Sequence, residues 1–216
     1  MNLLSVENLT KYYGENCLFR NISFGIDQGQ KIALVAQNGS GKSTLFKILM
    51  HSEPADSGEV VFRKDTRVAF LDQDEKFDPN ATVKTALFSG NHPALEALQE
   101  YRTALLKEDN ARVQELTELI EGLHGWDAEA QALAIADNLG LGELLNRKCG
   151  KLSGGQAKRL SLAKALVSEP DILMLDEPTN HLDLDMIEWL EKYLAQGNKT
   201  VFLVTHDRFF LDRVCD

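Results

Sequence analysis

Cationic residues are the scarce class in this chain. Its 23 Lys and Arg face 33 Asp and Glu, leaving a formal net charge of −10 over 216 residues. Affinity for nucleic acid rests chiefly on neutralising phosphates. A chain with this balance is not a general nucleic-acid binder, and any such contact must be local. Cysteine is sparse too: Cys17, Cys149 and Cys215 are scattered and odd in number. Their spacing supports neither a disulfide framework nor a metal site, so a reducing, cytoplasmic setting with buried or idle thiols is expected. No apolar run approaches the roughly 20 residues of a membrane span. Met1 to Ser5 lacks the charged and apolar parts of a signal peptide. Internal repeats and low-complexity segments are missing as well. What is there, 44% hydrophobic and 26% charged residues, is ordinary for a globular protein, and the length suits one large domain or a domain with a subdomain.

The chain divides by pattern into α/β, helical and again α/β stretches. Leu4 to Leu9 reads as a strand, Thr10 to Gly14 as a turn, and Leu18 to Ile26 as a second strand with Leu18, Ile22, Phe24 and Ile26 turned inward. Ile32 to Val35 is a short buried strand, followed later by strands at Glu59 to Phe62 and Arg67 to Leu71. From Ala94 to Leu139 the period is helical. Leu95, Leu98, Tyr101 and Leu105 share one face, and Val113, Leu116 and Ile120 another; Glu108 to Asn110 separates them. Gly125-Trp126-Asp127 breaks the second helix, and Asp127 is expected to cap a third. After Lys151 the pattern returns to α/β: a helix opened by Ser153, a strand over Ile172 to Leu175, a helix over Leu184 to Ala195, a strand over Thr200 to Val204, and a last helix capped by Asp207.

Three stretches carry chemistry. Ala36 to Thr44, A-Q-N-G-S-G-K-S-T, lies between a buried strand and a helix start, the setting of a phosphate-binding loop. Gly39 and Gly41 let the backbone bend around an anion. The N–H groups of Gly41 to Thr44 then point inward at the positive end of the helix dipole. Lys42 supplies a charge for the terminal phosphates, Ser43 a hydroxyl for Mg²⁺, and Thr44 a further hydrogen bond. Ala36 stands where glycine is commoner, and alanine serves if its φ is negative. Asp176-Glu177 ends an apolar strand, where ligands gather in open parallel sheets. Asp176 suits Mg²⁺, and Glu177 suits a base for the attacking water. The bland reading is a solvated acidic turn before Pro178. In Leu152-Ser153-Gly154-Gly155-Gln156, Ser153 and Gln156 have the spacing of a capping box. A cap needs no glycine pair, each costing up to ~1 kcal/mol in a helix. Bare glycines there suit close approach by another phosphate-bearing body.

In that order, the residues resemble the ATP-binding cassette ATPases over essentially the whole chain. Ala36 to Thr44, with Asn38 and Ser40, is similar to Walker A; Leu152 to Gln156 to the signature; and Ile172 to Glu177 to Walker B. Gln73 resembles the Q-loop glutamine, His206 the switch histidine, and His181-Leu182-Asp183 the D-loop. Tyr13 resembles the aromatic that stacks on adenine, with Tyr12 and Phe19 as competitors. The resemblance implies a P-loop NTPase of the α/β class, with a mostly parallel core sheet, an antiparallel β subdomain and a helical subdomain. Residues 1–73 and 151–216 would form the core and β subdomain, and 74–150 the helical subdomain with a short arm-like insert. It also implies ATP and Mg²⁺ as ligands. Ser43, Gln73 and Asp176 would organise Mg²⁺, Glu177 and His206 would be catalytic, and Ser153 to Gln156 would serve a partner's nucleotide. His51, His92 and His124 match nothing and are expected at the surface.

Glu177-Pro178-Thr179-Asn180-His181-Leu182-Asp183 and Thr205 to Leu211 are similar to the ABC-F family, and the insert with Gly125-Trp126-Asp127 to its Uup-like branch. That family implies tandem cassettes without membrane spans, many acting at the ribosome in translation. One cassette is present, so this sequence reads as the N-terminal part of a longer protein whose partner is a second cassette, in the same chain or in a homodimer. Other classes implied are the ATPase subunit of a transporter, docked on a separate membrane protein, and a DNA-handling ATPase. The latter would need a far longer insertion between Gln73 and Ser153.

Between Asn91 and Ala130 three basic residues stand against nine acidic ones, a net of 3 − 9 = −6. Direct nucleic-acid contact by this insert is therefore not expected; a protein surface or internal packing is. Titration of residues 91–130 with RNA at low salt should show no tight binding. Tight, salt-sensitive binding would overturn this expectation.

Overall fold

The computed structural model describes residues 1–36, 39–71, 75–89 and 92–215. The chain forms two compact units. The first comprises 1–71, 170–180 and 187–216, and the second 72–169 and 181–186. The P-loop cassette fold expected from the sequence is present.

The first unit holds two sheets. Strands β1 (Asn2–Tyr13), β2 (Asn16–Asp27) and β4 (Ser57–Phe62) form an antiparallel sheet in the order β2-β1-β4. Strands β3 (Lys31–Leu34), β5 (Val68–Leu71), β6 (Ile172–Asp176) and β7 (Val201–Val204) form a wholly parallel sheet in the order β3-β7-β6-β5. The strands β6 and β7 are buried throughout, which is why they read as unbroken apolar runs. Between the sheets lies helix α1 (Lys42–Leu49). Its Leu45, Phe46, Ile48 and Leu49 join Leu3, Leu4, Val6 and Leu9 of β1, Ile172 and Met174 of β6, and Phe202 and Val204 of β7 in one core. Phe46 is fully buried and meets Phe202 and Phe70 edge to face, with centroids 4.9 Å and 5.6 Å away. Helices α7 (Leu184–Ala195) and α8 (Arg208–Val214) follow late in the chain; Asp207 caps α8 by accepting from Phe210 N, as expected.

The second unit is helical: α2 (Val83–Phe88), α3 (Pro93–Leu106), α4 (Asn110–Gly122), α5 (Gly125–Asn138) and α6 (Gly154–Val167). The three insert helices appear where the period placed them. Gly125 is buried because a Cβ there would come 3.0 Å from Ala94 Cβ and 3.1 Å from Ile120 Cγ2, so glycine permits the close start of α5 against α3 and α4. Two of the three cations of the insert, Arg102 and Arg112, are engaged by carboxylates: Arg102 by Glu129, and Arg112 by Glu100 at 2.6 Å and Glu115 at 2.9 Å. Burial alone would raise the Glu129 carboxyl, but Lys84 and Arg102 outweigh it and hold it below its ordinary value.

Several local expectations differ from the structure. Thr10 to Tyr13 continue β1 rather than forming a turn, because β1 pairs on both sides and the reversal needs only Gly14 and Glu15. Of the proposed inward residues of β2 only Ile26 is fully buried; Leu18, Ile22 and Phe24 are half-buried on an edge strand of the sheet. Leu105 is exposed and Ala104 is buried instead, so the packed face of α3 at this end is the one that carries Ala104. Asp127 lies in the first turn of α5 and does not cap it. The cap position is His124, at φ 52°. His92 is half-buried, its Nδ1 accepting from Leu95 N at the start of α3. Helix α6 packs with α2 and α5, and the first compact unit resumes at Pro170.

Phe46 ties the helix that begins at the phosphate loop to β5 and β7 of the parallel sheet. Phe46→Ala should cost about 3–5 kcal/mol of unfolding free energy, and Phe46→Leu clearly less; urea denaturation of both variants measures this.

Candidate functional site

Two glycines set the shape of the loop before α1. Gly39 has φ +79° and Gly41 φ +91°, both in the region that penalises a Cβ. Gly41 is the N-cap of α1, and Leu45 N donates to its carbonyl at 2.8 Å. A Cβ on Gly41 would also crowd Leu18 Cβ at 3.0 Å and Phe19 Cδ1 at 3.4 Å, so the start of β2 stands against the loop. Ala36 lies outside the positive-φ region, which is why alanine is accepted there. Asn38 lies outside the described residues. Lys42 is buried, and its Nζ donates to Ala36 O at 2.8 Å, folding the ammonium back over the loop. Thr44 is half-buried in the first turn of α1.

The parallel register brings the other polar residues to the same sheet edge. Leu34 and Asp176 are both aligned with Val204, so β3, β7 and β6 end together. Ser43 Oγ donates to Asp176 Oδ2 at 2.6 Å, across 133 positions of sequence, and Asp176 is only 4% exposed. A hydroxyl and a carboxylate in contact are hard oxygen donors, a set that fits Mg²⁺. That ion usually takes one or two protein oxygens and fills its sphere with phosphate and water. Gln73, the third proposed ligand, lies outside the described residues, beyond the end of β5.

Glu177 follows at φ +50°, a left-handed conformation that costs a non-glycine residue roughly 1 kcal/mol or more. Its N–H still reaches Val204 O at 2.7 Å, so the ladder holds one residue past β6 before the chain turns. Its Oε2 accepts from Thr205 Oγ1 at 3.2 Å. Its Oε1 is buried and accepts no hydrogen bond among the described residues; His206 Nε2 stands 3.5 Å away, too far for a good one. Ser40 Oγ in the loop is likewise buried without a partner among the described residues. Buried polar atoms are nearly always satisfied; Ser40 Oγ and Glu177 Oε1, like Arg159 Nε in the second unit, have no hydrogen bond among the described residues.

Tyr13 is half exposed at the end of β1. Its hydroxyl donates to Glu53 Oε1 at 2.6 Å, and Lys11 Nζ stands 5.4 Å from its ring centroid. The Tyr13 hydroxyl holds the Glu53 carboxyl below its ordinary value against a smaller opposing effect of burial, helped by Lys11 and Lys47. Tyr12 donates its backbone N–H to Asp56 Oδ2 at 2.6 Å, and Phe19 is half-buried.

The second unit carries the remaining candidates. Ser153 caps α6 with Gln156 in a reciprocal box: Ser153 Oγ accepts from Gln156 N at 3.2 Å, and Gln156 Oε1 accepts from Ser153 N at 2.9 Å. This cap uses the acceptor side of the serine and leaves its O–H proton available. A Cβ on Gly154 would meet nothing within 4 Å, so the approach to this helix end is open. Gly155 lies against His181, with an added Cβ 3.7 Å from His181 Cβ. Asp183 Oδ1 accepts from Met186 N at 3.0 Å, steadying the start of α7.

Thr205 and Glu53 escaped the sequence reading. Thr205 was legible as the polar residue between an apolar strand and His206. Glu53 had no signal, because its role comes from a contact 40 positions away.

Comparison with known proteins agrees with the fold. Residues 19–180 match the model of the family described as ABC transporter. The ABC transporter ATP-binding protein YfmR of Bacillus subtilis is 41% identical over 222 residues, covering 99% of this chain and 35% of that protein. The tylosin resistance ATP-binding protein TlrC of Streptomyces fradiae is 39% identical over 223 residues, 98% of this chain and 41% of that one. The archaeal ribosome recycling factor aABCE1, solved with the ribosomal stalk protein aP1, superposes with TM-score 0.70 at 26% identity, over 100% of this chain and 36% of that chain. An ATP-binding subunit of an ABC transporter gives TM-score 0.71 at 20% identity over 99% of this chain and 83% of that one, a likeness of fold. The chain spans well under half the length of the two curated relatives. With a glycine-shaped loop, an acidic strand end and a family match over three quarters of its length, the chain belongs to the ABC transporter family and carries its ATP-binding cassette.

Proposed function

We propose that this chain is one Mg²⁺-dependent, ATP-hydrolysing cassette of an ABC-F-type protein, that it works with a second cassette, and that it acts in the cytoplasm on ribosome-associated processes. The observation that carries hydrolysis is the unsatisfied, buried Oε1 of Glu177 at the end of β6, next to the Ser43–Asp176 pair. An acceptor in that state favours a water that donates to it, and such a water is held by its own base.

Each residue then has a part. The Tyr13 ring stacks on adenine. Ala36 to Thr44 wraps the phosphates with loop N–H groups, Lys42 and the Ser40 hydroxyl. Magnesium, held by Ser43, Asp176 and Gln73, would offset charge on the outer phosphates. Glu177 takes a proton as water oxygen bonds to the γ-phosphorus, and ADP departs with the electrons of the broken P–O bond. His206 donates to the γ-phosphate. Ser153 offers its O–H, and the end of α6 its N–H groups, to the nucleotide of the other cassette, across an approach that Gly154 leaves open. Asp183 steadies the loop beside that contact.

The ABC-F assignment is supported by the Glu177 to Asp183 and Thr205 to Leu211 segments, and by the length of the relatives, which leaves room for a second cassette. The likeness to a ribosome recycling factor supports the ribosomal setting. Among the described residues no helix is long and apolar enough to cross a membrane. The transporter-subunit alternative draws on likenesses to solved ABC transporter proteins, one at 26% identity, equal to that of the recycling factor, and one at 20% that reaches only the fold.

Glu177→Gln should cut turnover by roughly 10²–10⁴-fold while keeping ATP bound and stabilising an ATP-bound dimer. Phosphate release and size-exclusion chromatography read the two effects, and normal turnover would remove Glu177 as the base. The shared site is tested separately. Turnover per chain should fall on dilution to nanomolar concentration. A mixture of Lys42→Ala and Ser153→Arg chains, each inactive alone, should recover activity through one intact composite site. Turnover strictly first-order in chain, with no recovery on mixing, would exclude sharing.

A further inference from the structure

Beyond the phosphate site, the structure holds an ionic latch at the end of β1 that the hydrolytic chemistry does not use. Glu53 lies just past α1, where its N–H and that of Ser52 both reach Lys47 O, at 3.2 Å and 2.9 Å. Its carboxylate accepts from the Tyr13 hydroxyl at 2.6 Å and from Lys11 Nζ at 3.1 Å. Lys11 is 7% exposed, and its Nζ also donates to Pro54 O at 2.7 Å. Asp56 closes the same loop on the strand, accepting from Tyr12 N at 2.6 Å and donating its own N–H to Thr10 O at 3.0 Å. Four consecutive positions of β1 are thus fastened to residues 53–56, the segment that continues the helix bearing the phosphate loop.

We propose that Glu53, with Lys11, is the positioning residue for Tyr13, fixing its ring so that one face is presented to the nucleotide base. The inference rests on the reading of Tyr13 as the base-stacking ring. Lys11 stands over the ring at 5.4 Å from its centroid, while Tyr13 remains 51% exposed, so the cation covers one face and the other is left for a base. A phenol hydrogen-bonded to a carboxylate loses its freedom to swing about χ1 and χ2. That ordering is done before the nucleotide arrives, so binding does not have to supply it. The charge on Glu53 is secure, because its carboxyl is held below the ordinary range by the Tyr13 hydroxyl, Lys11 and Lys47. Because Glu53 is anchored on Lys47, the base-side ring and the phosphate-side loop are set by the two ends of one helix. The latch therefore sets how well the site prefers a nucleotide over a bare polyphosphate.

The test compares ATP with inorganic tripolyphosphate, which carries the phosphates and no base. Dissociation constants are measured by calorimetry on the 216-residue chain, with thermal unfolding confirming that each variant is folded. Tyr13→Ala should lower the preference for ATP over tripolyphosphate about tenfold, the order of one base-stacking contact. Glu53→Ala, which removes the acceptor, and Tyr13→Phe, which removes the donor, should each weaken ATP about fivefold and leave tripolyphosphate unchanged. Glu53→Ala should add little in the Tyr13→Phe background, because the hydroxyl–carboxylate bond is already gone. Tyr13→Phe keeps the ring and the apolar packing, so it stays informative should Glu53→Ala fold poorly. Equal loss for ATP and tripolyphosphate, or additive effects of the two substitutions, would overturn the positioning role and leave the stacking of Tyr13 intact. An unchanged preference in Tyr13→Ala would instead sink the stacking reading, and this inference with it.

Discussion

The hydrogen bond from Ser43 on α1 to Asp176 at the end of β6 joins the start of the helix after the phosphate loop to the acidic strand end. It exists only because the parallel strands stay in register. Leu34 and Asp176 both align with Val204, and a slip of one residue would turn Asp176 from the ligand edge to the opposite face. The register is in turn held by the core side chains on one face of the sheet. Phe46 and Phe202 lock α1 to β7, and Ile172 and Met174 bring β6 into the same core. Packing energy is thereby used to bring a helix N-terminus and a carboxylate within bonding distance. Neither group would be placed there by its local sequence.

The polar accounting around that bond separates structure from function. Most buried polar groups in the first unit are satisfied in the ordinary way: Asp176 by Ser43, Lys42 by Ala36 O, and Thr205 by both Glu177 and Asp207 N. Ser40 Oγ and Glu177 Oε1 are not, among the described residues. Glu177 Oε1 is buried without a hydrogen bond among the described residues, with only His206 Nε2 at 3.5 Å, and the same residue bears left-handed strain. The two costs fall together on Glu177, the residue proposed to meet the reacting water.

Much of this was legible in the sequence because it is set locally. Strand, glycine turn and helix at 32–49 follow from apolar pattern and from two positions that need positive φ. The caps at Ser153 and Asp207 follow from side chains that reach N–H groups three residues on. What escaped depends on neighbours distant in sequence. Tyr12 and Tyr13 look like turn residues until β4 and the 53–56 loop are present to extend and fasten β1. Leu105 fits the apolar face of its helix, yet is exposed, whereas Ala104, about 100° round the helix, faces the packed side. Asp127 has the chemistry of a cap, but the close approach required at Gly125 starts the helix earlier. Helical period gives a direction, and only the packed neighbours decide whether that direction is inside.

The capping box at Ser153 shows why a structural role and a binding role need not compete. A serine at a helix N-cap uses a lone pair to accept an N–H, which stabilises the helix by about 1 kcal/mol. Its proton and its remaining lone pair are untouched. The same residue can therefore hold its own helix and donate to an incoming phosphate without giving up the first bond. Gln156 returns the bond to Ser153 N, so the serine backbone is fixed as well as its side chain. The glycines after it are unfavourable for the helix by propensity, and the box offsets part of that cost. The arrangement is a helix end kept bare for approach and kept ordered by its own cap, which is what a donor set aimed at another chain's nucleotide requires.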